Sequence, residues 1–345
     1  MRLGLVLSLF RYSKGTSVPI GILAVGSHVP PRVVDNHQIS RWTGRTPDWV
    51  AERTGVLERR YAEPGTTTSD LAVPAVRELL DRLDDRQRQR LAALIVATST
   101  PDVPQPATAA ILQHKLGLPG LAAFDVNAVC SGFLYGLAVA EGMLATRRHG
   151  SHAIVVGADM FSTIMDRSDR RTVSLFGDGA GAVLLGPVPD GYGIQAVRLL
   201  TNGELHHYVG VEAGGTRTPL DERARTAGEH LFRMDGRAVR DYALSVLDKL
   251  TGEVLEECGL RLADIGRFVF HQANTRLIET FAAEAGIDPA KVVLTAPRLG
   301  NTVAASIPLT LRAAQEERPF ARGERVLMAA VGGGMTAGAA VLTWY

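Results

Sequence analysis

The chain has few cysteines, few aromatic residues and almost no net charge. Only Cys130 and Cys258 occur among its 345 residues, and two cysteines cannot build the disulfide framework that is typical of small secreted domains. This scarcity favours a reducing compartment, and we expect a cytoplasmic protein. The formal net charge of +1 gives no general attraction for a polyanion, so nucleic acid is not an expected partner and a phosphate ligand would need a local cluster of basic residues.

Long apolar segments are also missing. The apolar stretch from Leu3 to Phe10 is too short to span a bilayer, and no small-residue cleavage site follows it. We therefore expect no membrane partner and interpret residues 1–17 as an N-terminal extension, since the first clear strand pattern begins near Ile20. No linker rich in serine, glycine or proline divides the chain, which predicts one compact body.

Short apolar or β-branched runs alternate with helical patterns over most of the chain. This alternation predicts an α/β fold with buried strands, and the spacing over Asp70–Leu83 and Arg237–Glu257 is typical of amphipathic helices. Residues 190–231 are the least patterned, and such a segment either covers a binding site or is a surface excursion. The predicted strands are Ile20–Val25, Ala92–Ala97, Ala122–Val126, Ala153–Val156, Ala180–Leu185, Phe268–Phe270, Arg325–Val331 and Ala339–Trp344.

Cys130 stands where a strand-like run turns into Gly132–Leu144, a stretch that is apolar on nearly every side. A helix with that pattern is a buried one. At its N-terminus the unpaired N–H groups and the positive end of the helix dipole would favour the thiolate, which is the nucleophilic form of cysteine. Because Ala128, Ser131 and Gly132 leave room beside the sulfur, we favour a nucleophile over the alternative, an inert buried cysteine.

Two polar residues follow later in the chain at positions suited to catalysis. His271 comes directly after a strand run, where α/β enzymes place reactive groups, whereas most of the nine histidines lie among polar or turn residues. Asn301 lies in a Gly-Asn dipeptide, which by itself indicates only a turn. The glycines at 332–334 let the backbone approach a ligand closely, so their N–H groups could line an oxyanion hole, with a plain hairpin turn as the alternative.

Together these segments resemble ketoacyl-acyl-carrier-protein synthase III, a condensing enzyme of the thiolase superfamily that starts type II fatty-acid synthesis. The resemblance runs from about Ile20 to the C-terminus. It implies a duplicated αβαβα five-layer fold, usually dimeric, so we expect a homodimer with an N-terminal half over residues 18–190 and a C-terminal half over residues 191–345. The most specific motifs are Ala128-Val-Cys-Ser-Gly-Phe133, Phe176-Gly-Asp-Gly-Ala-Gly181, His271-Gln-Ala-Asn274, Gly300-Asn-Thr-Val-Ala-Ala-Ser306 and Gly332-Gly-Gly334.

The resemblance also implies a mechanism. An acyl-CoA would acylate Cys130, and malonyl on an acyl carrier protein would then lose carbon dioxide and condense with the acyl group to give a 3-oxoacyl product. His271 and Asn301 would donate hydrogen bonds to the carbonyl of the second thioester, while the N–H groups of Cys130 and Gly333 would form the oxyanion hole. Acyl-CoA and the malonyl carrier protein are substrates in this scheme, and it implies no resident cofactor or metal.

Binding residues are implied by the same match. Trp49 and Arg53 fall in the segment near the adenine of coenzyme A, where Arg170 would stack against the purine. Asn274, from the histidine motif, is also expected to contact substrate. Arg276 matches an arginine that docks the acidic carrier protein.

Several positions depart from the family pattern. Val331 replaces a phenylalanine beside the reactive cysteine, Gln105 replaces a residue that closes the acyl pocket from the partner subunit, and Arg240 replaces a phenylalanine near the pantetheine tunnel. Ala283 and Glu284 stand where lysines are usual, which weakens the docking patch. We therefore expect a specialised member, and we predict that Val331 and Gln105 admit a bulkier or more polar acyl group than acetyl.

Two other functions stay open at this point. A relative of the family could move an acyl group from Cys130 to a hydroxyl, an amine or a second carrier without forming a carbon–carbon bond, or a catalytically dead subunit could serve only as a dimer partner. Asn301 favours condensation, because plain acyl transfer needs no enolate stabiliser. The complete set of Cys130, His271 and Asn301 argues against a dead subunit.

Overall fold

The computed structural model describes residues 18–145 and 150–345, so the predicted extension over residues 1–17 lies outside the described residues. The strands are β1 (Ile20–His28), β2 (Arg32–Asp35), β3 (Glu58–Tyr61), β4 (Leu91–Ala97), β5 (Ala122–Val126), β6 (His152–Met160), β7 (Asp178–Pro187), β8 (Gly193–Thr201), β9 (Val209–Gly210), β10 (Arg233–Met234), β11 (Arg267–Phe270), β12 (Arg325–Gly332) and β13 (Thr336–Thr343). The helices are α1 (Asn36–Thr43), α2 (Pro47–Thr54), α3 (Thr68–Leu80), α4 (Asp85–Arg88), α5 (Thr108–Leu116), α6 (Gly132–Ala145), α7 (Glu222–Thr226), α8 (Gly236–Cys258), α9 (Thr275–Glu284), α10 (Ala296–Leu299) and α11 (Ser306–Glu317).

Two larger sheets form the body of the protein. The first has the strand order β1-β7-β6-β4-β5, in which β5, β4 and β6 are parallel and β7 runs antiparallel to both of its neighbours. The second has the order β11-β12-β13-β8, with one parallel pair, β11 and β12, and antiparallel pairs on both sides of β13. The strands of the first sheet precede those of the second in the chain. The division into two halves at residue 190 stays a prediction.

Helices cover both faces of each sheet, and the buried side chains define five layers. Helices α3 and α5 pack on the outer face of the first sheet, and α8 and α9 pack on the outer face of the second. Helices α6 and α11 lie between the sheets, where Phe133 and Ile307 share one apolar cluster with Ile95 of the first sheet and Met328 of the second. The layers are thus helix, sheet, helix, sheet, helix, which confirms the predicted fold class.

The middle helix α6 fits between the sheets because two of its three glycines stand where a side chain would meet the first sheet. A Cβ on Gly136 would lie 3.0 Å from a methyl group of Val155, and one on Gly132 would lie 3.2 Å from the Cβ of Ala97. The remaining positions are almost all apolar, so the helix has no face that requires water. This close packing places the N-terminal end of α6 at the ends of β4 and β5.

The eight predicted strands are confirmed, and the structure adds β2, β3, β8, β9 and β10. Residues 190–231, the least patterned in the sequence, contain β8, which forms the edge of the second sheet beside β13. Its burial alternates only in part, and polar side chains of Gln195 and Arg198 interrupt the apolar run. Among the described residues, no helix is long and apolar enough to cross a membrane.

Candidate active site

Cys130 lies in the tight turn Val129–Ser131, immediately before α6. Val129 has a φ of 47°, a left-handed conformation that is rare for a β-branched residue. Gly332, the last residue of β12, packs on this turn, and a Cβ there would lie 2.9 Å from the backbone N of Cys130. The glycine run therefore allows the second sheet to reach the cysteine turn, in addition to joining β12 to β13.

The side chain of Cys130 is half-buried beside a cluster of three aromatic rings, Phe161, Phe176 and Phe232. Burial raises the pKa of this thiol, the buried carboxylate of Asp159 raises it further, and the backbone N–H of Cys130 lowers it. The environment therefore favours the protonated thiol. Burial therefore opposes the stabilisation of the Cys130 thiolate that was predicted from the N-terminus of α6.

His271 projects from the end of β11, as the sequence predicted. Its backbone N–H donates to the carbonyl of Ala329 on β12 (2.8 Å), and its ring nitrogen Nδ1 lies 2.6 Å from Oγ of Ser306, the first residue of α11. The side chain is 6% exposed. Burial lowers the pKa of His271 from 6.5 to about 3, so the ring is neutral at physiological pH.

The hydroxyl of Ser306 determines which ring nitrogen carries the proton. Ser306 is 1% exposed, and Nδ1 of His271 is the only hydrogen-bond partner of its hydroxyl in the described part of the chain. A buried hydroxyl donates its hydrogen to an acceptor within reach, so Ser306 donates to Nδ1. The proton of the neutral ring is then on Nε2, which is buried and has no partner among the described residues.

The amide of Asn301 is fixed in the same manner. Its Oδ1 accepts from the backbone N–H of Val303 (2.9 Å), and its main chain bonds to Leu175 and Gly177 beside the aromatic cluster. Because the oxygen is held by Val303, the NH₂ group of Asn301 faces away from that turn, and the residue lines the main cleft. Asn301 therefore offers a side-chain N–H donor to the cleft.

A buried carboxylate brings these segments together. Asp159, at the end of β6, accepts from the backbone N–H of Ala304 (3.0 Å) in the short helical turn Val303–Ala305 that follows Asn301. The same turn rests on Gly157, where a Cβ would lie 2.1 Å from the carbonyl oxygen of Ala304. The turns that carry Cys130 and Asn301 thus pack on one another at the end of the first sheet. The hydrogen bond from Ser306, which directly follows the second turn, holds His271 beside them.

The main cleft has a volume of about 980 Å³ and is lined by Asn301 and Asn274 together with many charged side chains. Asn274 caps α9, since its Oδ1 accepts from the backbone N–H of Arg276 (2.8 Å). Basic residues exceed acidic ones in the lining, with six arginines and four carboxylates. The arginines are Arg53, Arg171, Arg233, Arg237, Arg240 and Arg276.

Three of these arginines have ion-pair partners and three do not. Arg171 pairs with Asp169, Arg233 with Asp166 and Arg276 with Glu279. Within the described ranges, Arg53, Arg237 and Arg240 form no ion pair. The cleft therefore offers free guanidinium groups to an anionic ligand.

The structure does not bring every predicted binding residue to the cleft. Arg53, Asn274 and Arg276 line it, whereas Trp49, Arg170 and Gln105 are not among its lining residues. The guanidinium group of Arg45 lies over the Trp49 ring, 5.4 Å from its centroid. Arg170 and Gln105 are exposed.

Val331 lines a second, smaller cavity together with His271. The sequence predicted that valine at this position would vacate space beside the sulfur of Cys130. The structure corrects this, because the side chain of Val331 faces α8 and α9 and the next residue, Gly332, is the one that packs on the cysteine turn. The space lies on the His271 side of β12.

Sequence reasoning did not single out Asp159, Ser306 or Thr336. Thr336 accepts from Ser131 (2.7 Å) and donates to the carbonyl of Ala128 (2.9 Å), so it ties β13 to the cysteine turn. Ser306 stood in a quoted motif, and its place at the start of α11 was the available signal. Among the residues that the structure describes, no cluster of histidine, cysteine and carboxylate side chains could hold a metal ion.

The contact between Ser306 and His271 leads to a prediction about the ring. Ser306→Ala removes the donor to Nδ1, so we expect a mixture of the two tautomers in place of the Nε2–H form and about a tenfold loss of condensation activity. Imidazole ¹⁵N chemical shifts of the labelled protein measure the tautomer directly. Thr310→Val is the matched control, because it removes another buried hydroxyl of α11 that bonds to Thr295 and not to His271.

An unchanged tautomer in Ser306→Ala, or an equal change in Thr310→Val, would contradict the assignment. Ser306→Thr retains the hydroxyl group. It should restore the shifts of the native protein.

Comparison with known proteins matches the architecture and the motifs. Models of 3-oxoacyl-[acyl-carrier-protein (ACP)] synthase III match residues 124–203, and models of the C-terminal part of the same family match residues 255–344. The chain is 45% identical over 331 residues to the acetoacetyl CoA synthase NphT7 of a Streptomyces species, covering 95% of this chain and 100% of the relative. It is 39% identical over 326 residues to a beta-ketoacyl-[acyl-carrier-protein] synthase III of Symbiobacterium thermophilum, covering 94% of this chain and 98% of the relative.

Solved structures agree. A synthase III from Thermus thermophilus superposes with a TM-score of 0.84 at 38% identity, covering 94% of this chain and 99% of that structure. A priming beta-ketosynthase from a polyketide biosynthetic pathway superposes with a TM-score of 0.87 at 29% identity, covering 95% and 97%. The chain therefore belongs to the 3-oxoacyl-[acyl-carrier-protein] synthase III family of thiolase-fold condensing enzymes.

Proposed function

We propose that the protein condenses an acyl group held on Cys130 with a malonyl thioester, and that His271 and Asn301 stabilise the enolate formed from the malonyl group. One observation carries this proposal: each residue has a side-chain donor that is fixed at its other end. Nε2 of His271 is buried without a partner in the described residues while Ser306 holds Nδ1, and Val303 holds Oδ1 of Asn301, so that its NH₂ group is left for the cleft. A paired set of fixed donors suits an oxygen that gains negative charge during the reaction. Acyl transfer without carbon–carbon bond formation would not need it.

The proposed reaction has two stages. In the first, Sγ of Cys130 attacks the carbonyl of an acyl-CoA, the bond to the CoA sulfur breaks, and the thiol proton ends on CoA. In the second, the bond between the malonyl α-carbon and its carboxylate breaks, carbon dioxide leaves, and the α-carbon bonds to the acyl carbon as the bond to Sγ breaks. The thiolate of Cys130 then takes up a proton, and a 3-oxoacyl thioester is released.

Backbone N–H groups are proposed to stabilise the oxyanion of the first stage. Cys130 would supply one N–H and Gly333 the second, and the packing of Gly332 against the cysteine turn supports their proximity. His271 in its Nε2–H form cannot accept the thiol proton, so the N-terminus of α6 is the feature that favours ionisation of the thiol during attack. These steps require no resident cofactor.

The charge of the cleft supports coenzyme A as the carrier of the first acyl group. Coenzyme A carries phosphate groups, and Arg53, Arg237 and Arg240 are free to bind them. Trp49 and Arg170 are less suited to the adenine than the resemblance implied, since Trp49 already contacts Arg45.

We further propose a homodimer in the cytoplasm. The exposed side chains of Gln105 and Val103 lie in one loop before α5. A second copy covering this loop would bury Val103 and bring Gln105 toward the acyl pocket of its partner.

A second candidate differs in the carrier of the malonyl group, which would be coenzyme A in place of an acyl carrier protein. The relative at 45% identity is an acetoacetyl CoA synthase. The exposed side of α9 also favours this candidate, because Arg276 is paired with Glu279 and Glu284 adds a further negative charge. An acidic carrier protein would find little positive charge there.

The first prediction concerns the nucleophile. Cys130→Ala should abolish the covalent acyl adduct, because Cys258 is the only other cysteine and lies at the far end of α8. Mass spectrometry of the intact protein after incubation with acetyl-CoA measures the adduct. Cys258→Ala is the control and should load normally; loss of the adduct in that variant would overturn the assignment.

The second prediction concerns the enolate donors. Asn301→Asp keeps an oxygen for the N–H of Val303 but removes the NH₂ group, so condensation should fall by about 10²- to 10³-fold with a much smaller loss of acyl loading. The two half-reactions are timed separately, as adduct formation and as release of labelled carbon dioxide. Equal losses in both would show that Asn301 does not act on the second substrate.

The third prediction concerns the carrier. We expect malonyl-CoA to be used with a kcat/KM at least equal to that of malonyl carrier protein. Ala283→Lys with Glu284→Lys restores positive charge on α9 and should raise kcat/KM for the carrier protein several-fold at low salt, with no gain for malonyl-CoA. Glu63→Lys is the control at another exposed position. An equal gain in that variant would show that net charge, and not charge on α9, causes the effect.

A further inference from the structure

A small cavity lies next to the main cleft, between the second sheet and helices α8 and α9. Its volume is about 50 Å³, and Val239, Ala273 and Leu277 line both the cavity and the cleft. The two spaces are therefore neighbours that share a wall. His271 is the only residue with a polar side chain in the lining of this space, which we call the His271 cavity.

Val331 sets the size of the His271 cavity. On β12 the side chains of Ala329 and Val331 pack toward α8 and α9, whereas Ala330 packs toward the middle layer. A larger side chain at position 331 would extend into the cavity. The opposite wall is formed by α8, where Ala243 is small and 2% exposed.

The polar residue in the lining, His271, indicates what the cavity receives. Nε2 of His271 is buried and has no partner in the part of the chain that the structure describes. A thioester carbonyl that accepts a hydrogen bond from Nε2–H carries its α-carbon two bonds from the accepting oxygen and therefore close to His271. An apolar substituent on that carbon would come near the apolar cavity that His271 lines. A cavity needs about 10–15 Å³ to hold a single water, so this one has room for a small alkyl group.

We propose that the enzyme accepts a malonyl thioester with a small α-alkyl branch, of which methylmalonyl is the simplest, and that the branch lies in the His271 cavity. This inference rests on the proposed function, since it assigns the second substrate to His271. Bond changes are those of the malonyl reaction: carbon dioxide leaves, the α-carbon bonds to the acyl carbon, and the bond from that carbon to Sγ of Cys130 breaks. The product is a 2-alkyl-3-oxoacyl thioester.

The test compares malonyl and methylmalonyl thioesters, each supplied as the CoA ester and on a carrier protein, with the acetylated enzyme. Burial of one methyl group contributes about a fourfold gain in binding, which offsets the extra bulk, so we expect the kcat/KM values for the two substrates to lie within about tenfold. Val331→Phe fills the cavity and should lower the ratio of methylmalonyl to malonyl kcat/KM at least about tenfold. Val33→Phe makes the same change at an exposed position of β2 and should leave the ratio unchanged.

Formation of the acetyl adduct on Cys130 checks that each variant is folded. If Val331→Phe fails to form it, Ala243→Leu fills the same cavity from α8 and should lower the ratio in the same direction. Product from malonyl with none from methylmalonyl would overturn this inference and leave the proposed function intact. No product from either substrate would instead reject the proposed function, and an equal shift in Val331→Phe and Val33→Phe would show that the cavity does not select the substrate.

Discussion

The buried carboxylate of Asp159 holds together segments that the chain supplies from distant places. Its Oδ1 accepts from the backbone N–H groups of Ser99 and Thr100 after β4, and its Oδ2 accepts from that of Ala304. Burial raises the pKa of Asp159 to about 6, while these hydrogen bonds favour the ionised form. Each bond to a charged acceptor contributes about 1.5–3 kcal/mol. The turn behind Asn301 is therefore fixed to the first sheet, and the cysteine turn packs against it.

With that turn fixed, each donor of the site is oriented by a bond at its other end. Ser306 follows the turn directly and donates to Nδ1 of His271, and Val303 within the turn donates to Oδ1 of Asn301. Neither donor then has to reorganise when an oxyanion forms, which is the condition under which such donors are most effective. The same short segment thus orients both side chains, although His271 itself comes from a different strand.

The fold class and the eight main strands could be predicted, because buried strands and family motifs leave strong local patterns. The catalytic roles of Cys130, His271 and Asn301 stay predictions. The tautomer of His271 could not be predicted, because it depends on the hydroxyl of Ser306, which lies 35 residues further along the chain. The position of the cavity beside Val331 could not be predicted either, because neighbouring residues of a strand point to opposite faces of the sheet.

The electrostatics of the site fit a reaction that moves one negative charge and does not accumulate more. In the proposed reaction the malonyl carboxylate leaves as neutral carbon dioxide, its charge passes to the enolate oxygen, and condensation then places that charge on Sγ of Cys130. Burial and Asp159 raise the pKa of that thiol, so the released thiolate takes up a proton readily. The protonated thiol is a poor nucleophile and does not attack the new product. Burial also keeps His271 neutral, so the enolate is stabilised by hydrogen bonds alone. A charged imidazolium would bind the malonyl carboxylate as well as the enolate, and would thereby lose the preference for the transition state on which catalysis depends.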